Sequence, residues 1–272
     1  MKALLVALIA FAAASPAAAK PRAVSLDYCS DQYLLALADP EQVLAISRGA
    51  DKDYSRLREK AVPHRKIRAA AEEALALEPD LVMRQWGGGA NPEAAFGRFG
   101  ARVVSLGFPE DFDGVKENIR QAAAALEQAE RGEEMIRDLD ARLAALAAAP
   151  PFDARALYVT PGGVTAGAHT MIDAIITAAG AVNAAAESGQ SYWPALPAEN
   201  LLMDPPDFIV GGFFRARDEQ INHWSAARHP AIMQLLAERP TVHLSPDLIS
   251  CAAFHSVEAA EKIAAALAET HR

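Results

Sequence analysis

The sequence predicts an α/β fold with two Rossmann-like lobes, each with a parallel sheet, joined by a single long α-helix. Residues 71–82 and 197–210 each contain a short helix, a break at Pro-Asp and a buried strand. Strands alternate with helices on both sides of a long helical stretch, which is typical of parallel sheets covered on both faces. We therefore expect an N-terminal lobe over residues 20–111, a linking helix over 112–149 and a C-terminal lobe over 150–272.

The first 19 residues have the pattern of a cleavable signal peptide. Lys2 supplies a positive charge, residues 3–14 are apolar, and residues 17–19 are alanines that fit a cleavage site. The apolar run is shorter than the roughly 20 residues that a membrane span needs. No Cys follows the cleavage site, so we expect an exported, periplasmic protein without a lipid anchor.

The elements of the first lobe follow from its apolar runs and breaks. Ser30 and Asp31 are candidate caps for the first helix, which the Asp39-Pro40 pair ends. The predicted strands cover residues 22–26, 43–46, 81–83 and 103–106, with helices over 71–77 and 92–99 and a Gly-rich loop over 86–89.

A single helix is predicted for residues 113–149, where apolar residues recur at spacings of three, four or seven without an internal proline. At a rise of about 1.5 Å per residue, this helix would be longer than about 50 Å. The second lobe then has predicted strands over 156–160, 208–210 and 242–244, and helices over 170–179 and 256–268.

The composition argues against several classes of function. The formal net charge of −9 disfavours a nucleic-acid partner. The glycine patterns of phosphate-binding loops and the Gly-x-Ser-x-Gly nucleophile motif are absent. The seven histidines are scattered and form no metal-binding pattern. We therefore expect a binding protein rather than an enzyme, with no cofactor and no bare-metal site.

The loops that follow the predicted strands are the candidate binding surface, because ligands of open α/β sheets sit beyond the carboxyl ends of the strands. These loops are rich in aromatic residues, which favour a large flat or apolar ligand. Trp86 precedes three glycines, which let a ligand approach the backbone closely. Glu72 and Glu199 occupy equivalent places in the two matching segments, which favours a shared docking role.

Cys29 and Cys251 are the two cysteines of the chain. An even count in an oxidising compartment permits a disulfide. Two separate buried thiols are the favoured interpretation, because a bond between such distant residues must meet strict geometry.

The chain resembles the periplasmic substrate-binding proteins of ABC importers for iron–siderophores, haem and cobalamin. The resemblance depends on residues 23–37, 73–82 and 199–210, and it extends over the whole mature chain. It implies two α/β lobes bridged by one long helix and a ligand held between them. It also implies that Glu72 and Glu199 dock on the transporter.

We therefore predict a monomeric protein that captures a metal chelate and delivers it to an inner-membrane ABC transporter permease. The chelate is a ferric siderophore or a cobalamin or other corrinoid. The candidate ligand-binding residues are Tyr28, Cys29, Trp86, Gly87, Trp193, Arg215, Trp224 and His255. The resemblance singles out the loop at Trp86 and the segment at Trp193.

Two alternatives remain open from the residues. The first is a bare metal-ion binding protein for zinc or manganese with a similar architecture. The second is a periplasmic enzyme with Cys29 as nucleophile and His255 as base.

Overall fold

The computed structural model describes residues 19–196, 200–213 and 229–270. Within them, the strands form two sheets in which every pairing is parallel. The predicted fold class is confirmed. The predicted signal peptide lies outside the described residues, apart from Ala19. No helix of the described ranges is both long and apolar enough to cross a bilayer.

The first sheet has five strands in the order β3-β2-β1-β4-β5. Its strands are β1 (Ala23–Ser25), β2 (Val43–Ser47), β3 (Lys66–Ile67), β4 (Leu81–Arg84) and β5 (Arg102–Ser105). The central strand β1 is fully buried, as expected for a parallel strand covered on both faces. The two-residue edge strand β3 was not predicted.

The helices of the first lobe are α1 (Tyr28–Leu37), α2 (Arg58–Ala61), α3 (Ala71–Leu75), α4 (Pro92–Gly97) and α5 (Phe112–Ala125). A short 3₁₀ helix, Pro40–Gln42, follows α1. Helix α1 begins earlier than predicted, because the side chain of Asp27 accepts hydrogen bonds from the N–H groups of Cys29 and Ser30. Asp27 is therefore the cap, and Ser30 and Asp31 lie inside the helix.

The predicted single helix over residues 113–149 is broken into two, α5 and α6 (Ala129–Ala147). Glu127 has a φ of 57°, and the N–H of Gln128 donates to the carbonyl of Ala123 at 2.8 Å, which ends α5 in a tight turn. Ion pairs Lys116–Asp140 and Arg120–Glu133 show that the two helices run antiparallel.

Helix α6 is the long helix that joins the two lobes. It packs against α5 on one side and against α7 (Met171–Ala178) and α12 (Ser256–Thr270) of the second lobe on the other. With 19 residues, it has a length of about 28 Å rather than the expected 50 Å.

The second sheet has four strands in the order β7-β6-β8-β9. Its strands are β6 (Arg155–Val159), β7 (Val182–Asn183), β8 (Phe208–Gly212) and β9 (Thr241–Leu244). Besides α7 and α12, its helices are α8 (Ala184–Glu187), α9 (Asn200–Met203), α10 (Pro230–Glu238) and α11 (Pro246–Ile249).

The two lobes share one buried apolar cluster, which includes Leu34 and Met83 of the first lobe and Val257 and Ile263 of the second. Polar contacts add to it at the same interface. Arg56 forms an ion pair with Glu258, with a shortest N–O distance of 2.5 Å. This direct packing fixes the relative position of the two sheets.

Candidate ligand-binding cleft

A cleft of about 360 Å³ lies between the two lobes. The first lobe contributes residues that follow β1, β4 and β5, which is the carboxyl edge of its sheet. The second lobe contributes the start of α7, the loop at Tyr192 and Trp193, and the segment that follows α11. The cleft is therefore at the place where open α/β folds bind ligands.

The wall from the first lobe consists of three aromatic rings. The rings of Trp86 and Phe108 are nearly parallel, with their centroids 6.2 Å apart and an interplanar angle of 13°. Tyr28 meets Trp86 edge to face at 5.1 Å. Phe108 is 69% exposed, and together with Trp86 it presents contiguous apolar surface to the cleft.

The wall from the second lobe contains Tyr192 and Trp193, which are 58% and 56% exposed. The ring of His169 lies 5.7 Å from that of Tyr192. Both His169 and Tyr192 have positive φ values, 63° and 59°, which is uncommon for residues other than glycine. Such backbone strain often occurs at functional sites.

Backbone hydrogen bonds hold these two strained residues in place. Gly167 donates to the carbonyl of Tyr192, and Tyr192 donates to the carbonyl of Ala168, both at 2.8 Å. A Cβ atom at Gly167 would lie 2.3 Å from the carbonyl oxygen of Gln190, so only glycine allows the two loops to approach so closely. These contacts fix the backbone of the Tyr192 loop against the segment at Gly167.

A disulfide between Cys29 and Cys251 forms the floor of the cleft, with the two Cα atoms 5.4 Å apart. The favoured expectation of two separate thiols was wrong. The start of α1 and the segment after α11 meet at the lobe interface, which brings together two residues that are 222 positions apart. Cys29 consequently has no free thiol, and the enzyme alternative loses its nucleophile.

His255 lies behind the cleft rather than in its lining. It is 1% exposed, and neither ring nitrogen has a hydrogen-bond partner among the described residues. Burial, with a smaller effect from the nearby Arg56, lowers the pKa of His255 to about 3. The side chain is therefore neutral at ordinary pH and is not placed to pair with an anionic ligand.

Gly87 also lies outside the cleft lining. Its φ of 85° explains why glycine occupies this position, and a Cβ there would lie 3.1 Å from that of Ala69. Glu72 is exposed on α3. Arg215, Trp224 and Glu199 lie outside the described residues, so their predicted roles remain predictions.

The ionisable groups that line the described part of the cleft are Tyr28, Glu110, His169 and Tyr192, with no Lys or Arg among them. The Nδ1 of His169 lies 3.4 Å from a carboxylate oxygen of Glu110, so this pair bridges the two lobes. Burial raises the pKa of the Tyr28 phenol, which is therefore neutral. This part of the cleft has no excess of positive charge.

Sequence reasoning missed Phe108, Tyr192 and His169 as lining residues. Phe108 follows the predicted strand over 103–106 by two residues, so the strand-end rule could have found it. Tyr192 adjoins Trp193 in the Tyr-Trp-Pro segment. No sequence pattern identifies His169, because its place in the cleft lining depends on the conformation of its loop.

Across the described ranges, no group of three or more His, Cys, Asp or Glu side chains is arranged to hold a metal ion. The bare-metal alternative therefore has no candidate cluster in this part of the chain. The aromatic walls instead offer apolar surface to an organic ligand.

Two α/β lobes that enclose an aromatic cleft define a two-lobed binding protein. The family model described as periplasmic binding protein matches residues 24–236, and the chain belongs to this family. The suspected family is thus confirmed. No match to the chain was found among curated protein sequences.

Several solved structures share the fold. The periplasmic haem-binding protein RhuT from Roseiflexus sp. RS-1, in its apo form, is 24% identical with a TM-score of 0.70, covering 93% of this chain and 100% of that chain. The periplasmic haem-binding protein HutB of Vibrio cholerae is 20% identical with a TM-score of 0.73, and the match covers 90% of this chain and 97% of HutB. The periplasmic vitamin B12 binding protein BtuF of Vibrio cholerae is 17% identical with a TM-score of 0.64, and the match covers 92% of this chain and 98% of BtuF.

Proposed function

We propose that this protein captures a metal chelate in the inter-lobe cleft and delivers it to an inner-membrane ABC transporter. The chelate would be a corrinoid such as cobalamin, or a ferric siderophore. The observation that carries the proposal is that aromatic residues of both lobes line one cleft, Trp86 with Phe108 on one lobe and Tyr192 with Trp193 on the other.

Exposed aromatic rings on both sides of one cleft are costly to leave in water, and a ligand with apolar faces would cover them. Offset stacking on such rings favours a flat or rigid organic ligand. An unchelated metal ion would instead require a cluster of carboxylate, imidazole or thiolate groups. The lining therefore favours an organic ligand in which the metal ion is already chelated.

The charge of the lining narrows the class of chelate. A strongly anionic ligand is normally matched by Arg or Lys side chains. The described lining has neither, and its ionisable groups are Tyr28, Glu110, His169 and Tyr192. A chelate with little net negative charge, such as a corrinoid or a ferric hydroxamate, would fit this part of the lining, and the predicted Arg215 would pair with any anionic group of the ligand.

The relatives with the same fold are consistent with this choice. RhuT and HutB are haem-binding proteins, BtuF is a vitamin B12 binding protein, and a further structure with the same fold, 17% identical with a TM-score of 0.65, is an Fe³⁺-hydroxamate transport system from Saccharomonospora viridis. All three ligand classes are metal chelates. We extend from them only the general class of ligand, because their identities to this chain are below 25%.

Delivery to a transporter is the second part of the proposal. A signal peptide over residues 1–19 would place the mature protein in the periplasm. Glu72 on α3 and Glu199 of the other lobe would steer docking to a permease through their negative charge. Glu72 does not line the described cleft, so docking through this residue and ligand capture would use different surfaces.

Titration of the purified protein with separate probes tests the proposed ligand class. Cyanocobalamin, haemin, ferrichrome, Zn²⁺ and Mn²⁺ are added in turn, and binding is followed by calorimetry. We expect stoichiometric binding of at least one chelate and none of the free ions. Binding of Zn²⁺ or Mn²⁺ alone would refute the proposal in favour of the bare-metal alternative.

A further inference from the structure

We propose that Asp27 is a positioning residue of the cleft, which holds the Trp86 loop and, through Gln85, the Phe108 loop against the start of α1. This inference rests on the proposed function, because it concerns the same cleft. Asp27 itself does not line the cleft and is 3% exposed. Its role is therefore exerted through the residues that it binds.

The Asp27 carboxylate accepts four backbone hydrogen bonds from two separate segments. One oxygen, Oδ1, accepts from the N–H groups of Cys29 at 3.2 Å and Ser30 at 2.8 Å. The other, Oδ2, accepts from the N–H groups of Gln85 at 2.7 Å and Trp86 at 3.1 Å. One side chain thus joins the disulfide-bearing start of α1 to the loop that carries Trp86.

The loop beyond Trp86 has few other means of holding its position. Gly87, Gly88 and Gly89 all have positive φ values and no side chains to pack. The N–H of Gly88 donates to the carbonyl of Ala69 at a distance of 3.3 Å. Asp27 therefore supplies the hydrogen bonds that hold the backbone N–H groups of Gln85 and Trp86 at the start of this loop.

A second link extends the same network to the Phe108 loop. The side-chain amide of Gln85 donates to the carbonyl of Gly107 at 2.6 Å. Asn118 also holds Gly107, by accepting from its N–H at 2.9 Å and donating to its carbonyl at 3.0 Å. Because Gly107 precedes Phe108, the Phe108 loop is linked through Gln85 to the segment that Asp27 holds, with Asn118 as a second support.

The arrangement requires a carboxylate rather than a neutral amide. Burial raises the pKa of Asp27, and the converging backbone N–H groups oppose this effect by favouring the ionised form. In Asp27→Asn, the remaining oxygen can still cap α1, since Asn and Asp cap helices equally well. The new NH₂ group would then face the N–H groups of Gln85 and Trp86 and release the loop.

The test compares Asp27→Asn with Asp111→Asn, a matched control. Asp111 caps α5 by accepting from the N–H of Gly114 at 2.8 Å, outside the cleft lining. The affinity of the wild type and both variants is measured with each of cyanocobalamin, haemin and ferrichrome that the wild type binds. We expect Asp27→Asn to weaken binding by about tenfold, and Asp111→Asn to leave it unchanged.

A spectroscopic readout follows Trp86 directly and needs no ligand. In a Trp193→Phe, Trp224→Phe background, Trp86 is the remaining tryptophan of the chain. Asp27→Asn should shift the emission of Trp86 to longer wavelength and increase its quenching by acrylamide, whereas Asp111→Asn should not. If no chelate bound the wild type, the proposed function would fail, and this readout would still decide the role of Asp27.

Two further measurements cover the case in which Asp27→Asn does not fold. Asp27→Ser retains a cap for α1, but its shorter side chain does not reach Gln85 and Trp86. In the wild type, the amides of Gln85 and Trp86 should exchange with deuterium much more slowly than that of the exposed Gly89. Unchanged Trp86 emission in Asp27→Ser, or equally fast exchange at the three amides, would overturn the proposal.

Discussion

The sulfur atoms of Cys29 and Cys251 are bonded at the floor of the cleft and join the start of α1 to the segment after α11. Next to this bond, the hydroxyl of Tyr33 donates to the carbonyl of Ala252 at 3.4 Å. The two lobes are thus joined covalently within the lining of the cleft. The disulfide therefore helps to set the distance between the aromatic residues of the two lobes.

Removal of the disulfide should destabilise the protein. We expect Cys29→Ser/Cys251→Ser to lower the free energy of unfolding by about 2–5 kcal/mol, because the reduced chain loses a constraint over a long loop. Urea unfolding measures the change. A reductant should shift the wild type to the midpoint of the variant and leave the variant unaffected. Equal midpoints for both oxidised proteins would contradict the prediction.

Truncation of the aromatic walls should weaken ligand binding without a matching loss of stability. Trp86→Ala and Trp193→Ala should each reduce the affinity for a bound chelate about 10- to 100-fold, as buried aromatic anchors do at other binding sites. Phe99→Ala is the control, because Phe99 is 71% exposed and lies outside the cleft lining. If all three variants lost the same affinity, the cleft would not be the binding site.

The acid stability of the protein should depend on His255. Its folded pKa, about 3, is below its unfolded value of 6.5, so the unfolded chain takes up a proton first as the pH falls. The stability that neutral His255 contributes is present above pH 6.5 and is lost as the pH falls towards 3.

We therefore expect His255→Leu to lose less stability between pH 7 and pH 4 than the wild type, as measured by urea unfolding. Burial raises the pKa of Asp31 to about 7, which gives the opposite dependence: its contribution is lost as the pH rises through 7. Asp31 is present in both proteins, so the difference between them isolates His255. Parallel pH profiles would show that His255 titrates normally in the folded protein.

Reversal of charge at the proposed docking residue should impair delivery but not capture. Glu72→Lys should lower ATP-dependent chelate uptake several-fold in inner-membrane vesicles of the source organism, with unchanged chelate affinity. Glu134→Lys serves as control, since Glu134 is an exposed residue on α6. Equal uptake with both variants would show that Glu72 does not take part in docking.

The sequence predicted the central strands well, because they are short, mainly apolar runs that are buried along almost their whole length. Edge strands β3 and β7 have only two residues each, too few to produce a recognisable pattern. The break between α5 and α6 was missed for a specific reason. Leu126 and Ala129 are three residues apart, so the apolar spacing continues unchanged through a turn that reverses the chain.

The candidate site was predicted only in part. Tyr28 and Trp86 were predicted because they follow strand ends, and Trp193 because of the family resemblance; all three line the cleft. The disulfide could not be derived, because a separation of 222 residues carries no information about distance in space. Asp27 likewise looked like an ordinary strand-end residue, since its four hydrogen bonds depend on a distant loop.

Native mass spectrometry of the protein isolated from its own periplasm tests the central claim most directly. We predict a complex of one protein with one intact metal chelate, and loss of that added mass in Trp86→Ala. A preparation that carried only a bare metal ion, or a chelate retained equally by Trp86→Ala, would contradict the assignment of the aromatic cleft as the site of chelate capture.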